Sequence, residues 1–386
     1  MKLLWIAGWY PNYTEPHSGD FVKRHAEAAS LFSGIQVIFV ARDPQLLPGA
    51  VRFKENIQGR LCEWLITYNT PRWTGKVGSQ LTYARIFKKY IRQYIHEHGV
   101  PDLVHFYIGM RTSTIAAWVK KKLKIPVVFS EQWTGFLPEP ADNFNQLPAY
   151  LQRTWRQMAR YAAGAHCVSV YLQQKLELVA QQPLPAAIIP NATDTSFFHY
   201  RDKTLKKNHF VHVAGSAAGH KNTEDVLKAF ALLLRENDAC RLDIAGPYDQ
   251  QLKNLAHDLG LVQNITWHGI VLPAQLSLLF QQAKALIMYS RYETFGCVVT
   301  EAQACGTMVV AADIPVLHET VMEGVNGFFA PPENPVALKE LLKKIANGDI
   351  SINNEQVAKS AAAKYNYEAV GRQFAEWYEL IRSERG

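Results

Sequence analysis

Two glutamates eight positions apart, Glu293 and Glu301, bracket the turn Phe295-Gly296. Glu293 falls in a loop and Glu301 inside the helix that follows, roughly 7–8 Å beyond Gly296 along its axis. Carboxylates so placed can reach two sets of hydroxyls on one ligand, a sugar at one end and a ribose at the other. Between them, the helix start leaves the amides of Gly296, Cys297 and Val298 without intrahelical partners. Free amides and the positive dipole end make a ready site for a diphosphate. The pair alone fits solvated carboxylates around a strand–turn–helix equally well. Lys221, beyond the apolar run Val211-His212-Val213-Ala214-Gly215, is the cation such a site needs to neutralise a departing diphosphate. By itself it reads as an exposed lysine near a helix start.

These residues require elements to hold them, and the chain repeats one pattern: a short apolar run, a turn, then an amphipathic stretch. That is the signature of βα units on a parallel sheet. Strands are expected near 2–8, 35–40, 61–67, 102–106, 125–130, 165–170 and 186–190, with helices near 19–32, 78–97, 111–123, 147–163 and 170–181. The register restarts with strands near 209–215, 240–245, 264–268, 284–289, 307–311 and 327–330, and helices near 223–236, 249–259, 273–282, 296–305, 316–322 and 334–346. Pro190 to Asp194 and the lysine-rich stretch Arg201 to Asn208 mark a break. The expectation is an α/β protein of two doubly wound domains, 1–195 and 205–365, facing one cleft. A final helix in 366–386, with Val370, Phe374, Trp377, Tyr378 and Ile381 on one stripe, packs back on the first domain. Ligands in such sheets sit beyond the carboxyl ends of the strands.

Composition agrees: 386 residues exceed one core, and 48% hydrophobic with 19% charged residues excludes disorder. No run approaches the roughly 20 apolar residues of a membrane span. The apolar start Leu3 to Tyr10 reads as a buried strand rather than a leader peptide, which places the chain in the cytoplasm. Five cysteines show no Cys-x-x-Cys pattern, and no Asp-x-Asp, phosphate loop or Gly-x-Gly-x-x-Gly appears. No metal and no cofactor are therefore expected.

Residues 1–195 carry 22 Lys and Arg against 13 Asp and Glu, and the remainder 19 against 21. The excess gathers in Arg72, Lys76, Arg85, Lys88, Lys89, Arg92 and Lys120 to Lys124. Such a patch suits a phosphate-bearing substrate or the anionic inner face of a membrane. The stretch Leu81 to Ile95 is either an interfacial helix or an ordinary surface helix whose tyrosines pack on a sheet. No nucleic-acid-binding motif accompanies the charge.

The segment Tyr289 to Gly306 resembles the Glu-(x)7-Glu motif of retaining GT-B glycosyltransferases, in particular glycosyltransferase family 4. Gly306-Thr307-Met308-Val309-Val310 is similar to that family's Gly-x-Pro-Val-Val strand. Glu319 with Gly324-Val325-Asn326-Gly327 is similar to its hairpin, and Pro190-Asn191-Ala192-Thr193-Asp194 to its linker. The resemblance implies a GT-B fold and a metal-independent hexosyltransferase that retains anomeric configuration. The donor is a UDP- or GDP-linked sugar and the acceptor a glycan or a lipid-linked molecule, as in bacterial surface polysaccharide or lipopolysaccharide assembly.

The same resemblance distributes roles. Glu301 holds ribose; Lys221 with Gly215, Ser216 and the Phe295, Gly296, Cys297 and Val298 main chain holds diphosphate; Glu293 holds the transferred sugar. Ser216 stands where the family has an arginine, so Lys221 acts with another donor or with His220. Gly19 resembles the glycine of the family's first loop, where a missing side chain lets amides approach phosphate; an ordinary turn capped by Ser18 explains it as well. His105-Phe106-Tyr107 is similar to a His-x-His pattern with Tyr107 replacing the second histidine, which makes His105 a catalytic candidate or a structural strand-end histidine. Tyr107, Glu131 and Trp133 are the acceptor-side candidates, or packing residues. Two rival functions fit the same architecture: a nucleotide-sugar epimerase or hydrolase, and a non-catalytic sugar-nucleotide-binding membrane adaptor.

Overall fold

The computed structural model describes residues 1–71, 75–201, 208–214 and 219–384, apart from the side chains of Lys76 and Val77. The chain divides into two compact units, one of Met1–Ala192 with Tyr367–Gly386 and one of Thr193–Asn366.

The first unit carries an eight-stranded sheet. Its strands are β1 (Lys2–Ala7), β2 (Gly34–Arg42), β3 (Val51–Gln58), β4 (Leu61–Tyr68), β5 (Leu103–Tyr107), β6 (Val127–Glu131), β7 (Gly164–Cys167) and β8 (Ala186–Ile188). Their order is β3-β4-β2-β1-β5-β6-β7-β8, and every pairing but β3 with β4 is parallel. β1, β5 and β6 are buried along most or all of their length, as strands covered on both faces must be. The helices are α1 (Asp20–Ser30), α2 (Gly75–His98), α3 (Gly109–Trp118), α4 (Ala149–Tyr161) and α5 (Val170–Ala180). β3 was not expected. Its sequence Val51-Arg52-Phe53-Lys54-Glu55-Asn56-Ile57-Gln58 is almost wholly exposed, so it pairs as an antiparallel edge without an apolar run to announce it.

The second unit has a six-stranded, all-parallel sheet. It comprises β9 (His209–Val213), β10 (Arg241–Ala245), β11 (Ile265–Gly269), β12 (Ala285–Met288), β13 (Met308–Ala312) and β14 (Gly327–Ala330), in the order β11-β10-β9-β12-β13-β14. Around it lie α6 (Thr223–Leu234), α7 (Gln250–Asp258), α8 (Pro273–Gln282), α9 (Cys297–Ala304), α10 (Pro335–Asn347) and α11 (Asn354–Tyr365). The expected helix near 316–322 is a short 3-10 turn, Pro315–Glu319.

The last helix, α12 (Tyr367–Ser383), returns to the first unit and buries Val370, Phe374, Trp377, Tyr378 and Ile381. It packs closely on α1: a Cβ on Gly371 would lie 2.1 Å from the Ala28 carbonyl oxygen.

Each sheet reverses its strand order at one point. In the first unit the chain runs outward from β1 and resumes at β5 beside it; in the second it runs outward from β9 and resumes at β12. Loops leaving the carboxyl ends of such a strand pair diverge, and ligands bind in the gap.

Candidate functional site

The second unit's reversal point brings Lys221 and Glu293 together. Lys221 lies in the connection after β9 and Glu293 in the loop after β12, and those strands are hydrogen-bonded neighbours. The Lys221 ammonium donates to Glu293 Oε1, and Ser290 Oγ donates to the same oxygen at 3.1 Å. Glu293 is 7% exposed and Ser290 is buried. A cation and a hydroxyl here take the place of the water that burial removes from the carboxylate. The pair lies 72 residues apart in sequence, so only the parallel sheet creates it.

Beside Glu293, α9 opens on Gly296, whose φ of 86° is left-handed and whose helix start has no side-chain cap. A helix start without a side-chain cap is where main-chain amides can receive an anion. Cys297 and Val298 are half-buried, and Glu301 is buried in the second turn of α9. Phe295 turns its ring inward, edge-on to Tyr365 at 6.1 Å, so a ligand contact there falls to its main chain. Gly215 and Ser216 lie outside the described residues.

Sequence reasoning missed Arg291. Its Nη1 donates to the Gly219 carbonyl, its backbone N–H donates to the His220 carbonyl at 2.8 Å, and its Nε lies 3.4 Å from Glu333. A guanidinium therefore braces the Gly219–Lys221 turn. Its signal was adjacency to Ser290 alone. His220, the other helper weighed for Lys221, stacks on Tyr292 at 5.5 Å.

In the first unit, Gly19 is the N-cap of α1 with φ 73°, and a Cβ there would lie 2.8 Å from the Tyr10 nitrogen. Glycine is required by the backbone itself. No side chain caps the helix, so Ser18 is not the cap; the Trp9 indole donates to the Ser18 hydroxyl instead.

The acceptor-side candidates separate. His105 is fully buried, its Nδ1 2.6 Å from the Tyr378 hydroxyl and its Nε2 2.6 Å from Ser130 Oγ. Both nitrogens are engaged inside the core, which corrects the expectation of a catalytic His105. Tyr107 is equally buried, with its hydroxyl against His25 and 3.0 Å from Gln132 Nε2. Glu131 is buried and accepts from the Trp155 indole at 2.8 Å. Burial pushes its carboxyl up to about 8, against the pull of that indole and the Gly109 and Met110 amides. Direct acceptor contact by Tyr107 or Glu131 is thus corrected to packing. Trp133 alone lines a cavity.

The basic helix also resolves. Tyr83, Phe87, Tyr90, Ile91 and Tyr94 of α2 are buried, with Tyr90 stacked on Phe53, while Arg85, Lys89 and Arg92 are exposed. Its aromatic face is spent on the sheet, and the exposed residues of the helix include Arg85, Lys89 and Arg92 together with Leu81 and Glu97. Arg72 lies outside the described residues. No helix among the described residues is long and apolar enough to cross a membrane.

Residues 22–197 match the family described as Glycosyltransferase Family 4, and residues 197–365 match Glycosyl transferases group 1. The chain is 25% identical to an alpha-monoglucosyldiacylglycerol synthase of Streptococcus pneumoniae over 72% of this chain and 66% of that protein. It is 25% identical to D-inositol 3-phosphate glycosyltransferase 1 of Catenulispora acidiphila over 92% of this chain and 88% of that protein. The Anabaena protein HepE, solved with UDP and glucose, superposes with TM-score 0.75 at 17% identity over 98% of this chain and all of that one. With the Glu293–Glu301 segment at a sheet reversal point, both halves matched and the whole fold shared, the chain belongs to glycosyltransferase family 4 and has the GT-B fold.

Proposed function

We propose that this chain is a retaining hexosyltransferase that takes a sugar from a nucleotide diphosphate and passes it to an acceptor hydroxyl without a metal. The observation that carries the reading is the Lys221–Glu293 pair beside the uncapped start of α9. In this reading Glu301 receives the ribose. Lys221 and the Gly296–Val298 amides receive the diphosphate, and Glu293 the hydroxyls of the transferred sugar. The bond from the anomeric carbon to the diphosphate oxygen breaks, and its electron pair stays on that oxygen. The acceptor oxygen bonds to the same face of the carbon and gives its proton to the departing diphosphate. The cation and helix tip stabilise the charge that develops on the leaving group. Arg291 braces the lysine turn in the role that the family's missing arginine leaves open.

The donor is a UDP- or GDP-linked sugar; the solved relative bound to UDP and glucose favours UDP. The exposed basic face of α2 and a relative named for a glucosyldiacylglycerol favour work at an anionic membrane surface, as surface polysaccharide or lipopolysaccharide assembly would require. The deciding experiment measures nucleotide diphosphate release with and without a hydroxylated acceptor, and the product's anomeric configuration by NMR. Acceptor-dependent release with retained configuration supports the proposal. Acceptor-independent consumption points to a hydrolase or epimerase, and binding without turnover to an adaptor.

A further inference from the structure

The donor site of the second unit is short of positive charge. Its cation, Lys221, already forms an ion pair with Glu293, and a charge so partnered has less to offer an incoming anion. The start of α9 adds the equivalent of about half a charge. A departing nucleoside diphosphate carries several negative charges and calls for more than that. The loops that leave the carboxyl ends of the second sheet are residues 214–222, 246–249, 270–272, 289–296, 313–314 and 331–334. Their only Lys or Arg residues are Lys221 and Arg291.

Three successive residues of the loop after β12 meet three successive residues of the connection after β9. Arg291 reaches Gly219 and His220, Tyr292 stacks on His220 at 5.5 Å, and Glu293 accepts from Lys221. The Arg291 guanidinium is the member of this set that the fold can spare. The turn carrying Lys221 is closed by its own main chain, the Asn222 N–H donating to the Gly219 carbonyl at 3.0 Å. The two loops are joined by the Arg291 N–H on the His220 carbonyl at 2.8 Å and by the aromatic stack, neither of which uses the arginine side chain. The Gly219 carbonyl therefore keeps a donor when Arg291 Nη1 leaves it. The other partner holds less firmly. Nε lies 3.4 Å from Glu333, whose side chain is 70% exposed, and exposed ion pairs contribute little. A guanidinium that is redundant as a brace, and whose partners water can replace, is free to move to a stronger anion.

We infer that Arg291 is the second cation on the leaving diphosphate: as the nucleotide sugar binds, its guanidinium exchanges Gly219 and Glu333 for phosphate oxygens. The inference rests on the transferase reading of this site and adds a residue that touches the donor. Arginine suits the task, because its planar fork meets two phosphate oxygens at once and its charge does not titrate. The negative charge that builds on the diphosphate oxygen as the anomeric bond breaks then faces a cation that no buried carboxylate has claimed.

The test is calorimetric titration of the full chain with UDP and GDP. The proteins are wild type, Arg291→Ala, Lys221→Ala, the Lys221→Ala/Arg291→Ala double variant and Glu333→Gln. Binding of uridine and guanosine, read by saturation-transfer NMR, reports whether the rest of the site survives each change. Arg291→Ala is expected to weaken the diphosphate that wild type binds by at least about tenfold and to leave the matching nucleoside unchanged. In the Lys221→Ala background the same substitution should again cost about tenfold, because the guanidinium meets the ligand itself. No further loss in that background would show Arg291 acting only through Lys221 and overturn the inference. Equal diphosphate affinities in wild type and Arg291→Ala, or a nucleoside affinity that falls as far as the diphosphate's, would overturn it too. Glu333→Gln, which releases the guanidinium without removing it, should bind the diphosphate no more weakly than wild type; weaker binding contradicts the exchange. A wild-type chain that binds neither UDP nor GDP would bring down the transferase reading as well, whereas the other adverse results remove Arg291 alone.

Discussion

Lys221 and Glu293, 72 residues apart, meet as an ion pair at the point where β9 and β12 run side by side. Each is thereby the other's solvent. Lys221 and Ser290 supply the hydrogen bonds that water would otherwise give the buried Glu293 carboxylate. Lys221→Ala and Glu293→Gln are each expected to lower kcat/KM about 100-fold or more, the order found when one donor to a developing negative charge is removed. Because the groups touch, the double variant should lose much less than the product of the single losses. Independent, multiplicative losses in steady-state kinetics would contradict a shared role.

Gly19→Ala should destabilise the first unit by more than Gly99→Ala. Both glycines have left-handed φ, 73° and 82°, which costs about 1–2 kcal/mol for alanine. At Gly99 nothing lies within 4 Å of the new Cβ, whereas at Gly19 the Tyr10 nitrogen and Trp9 carbonyl carbon lie at 2.8 and 2.9 Å. Backbone cannot swing aside, so about 1–3 kcal/mol of overpacking should add. Urea unfolding of the two variants measures the difference.

Acid should unfold the protein through its buried histidines. His25, His105 and His166 are fully buried in one unit, and burial first, then their mutual repulsion at His25 and His105, holds those two well below the usual range. Burial brings His166 down to about 4, partly offset by its bond to the Ile189 carbonyl. The unfolded chain binds these protons near 6.5, so their contribution is complete above that pH and drains as pH falls toward 4. His166 alone corresponds to about 3 kcal/mol. Denaturant midpoints at pH 7, 6 and 4.5 should fall in that order.

Glu131 has the opposite sign. Its carboxyl is raised from 4.5 to about 8, so the fold prefers it protonated. That preference is complete below about 4.5 and is lost as pH rises toward 8. Glu131→Gln, which keeps the shape without the charge, should be relatively more stable than wild type at pH 8 than at pH 5. An unchanged difference between the two pH values would place the proton elsewhere.

Replacing Lys88, Lys89 and Arg92 with Glu should abolish sedimentation with anionic vesicles. At about 1 kcal/mol per basic residue near such a surface, removing three cations costs roughly 100-fold in affinity. Lys88 and Arg92 also lie over the Trp118 ring at 5.6 and 5.2 Å, so circular dichroism must first show the helix intact. Unchanged sedimentation would remove the membrane proposal and leave the enzyme untouched.

What the amino-acid sequence determined by itself was the class of chemistry and the rhythm of the fold. Period and apolar runs are local properties, so thirteen of the fourteen strands among the described residues could be read before any coordinates, and the Glu293–Gly296–Glu301 spacing is set by a single loop and helix. It could not supply β3, whose polar residues gain strand geometry only from pairing with β4, or α11, which follows no strand. It could not tell that His105 and Tyr107 face a core completed by α12, because Tyr378 comes 273 residues after His105. Nor could it join Lys221 to Glu293. That juxtaposition comes from strand order at a reversal point, and strand order is decided by long-range burial, to which no short window of sequence has access.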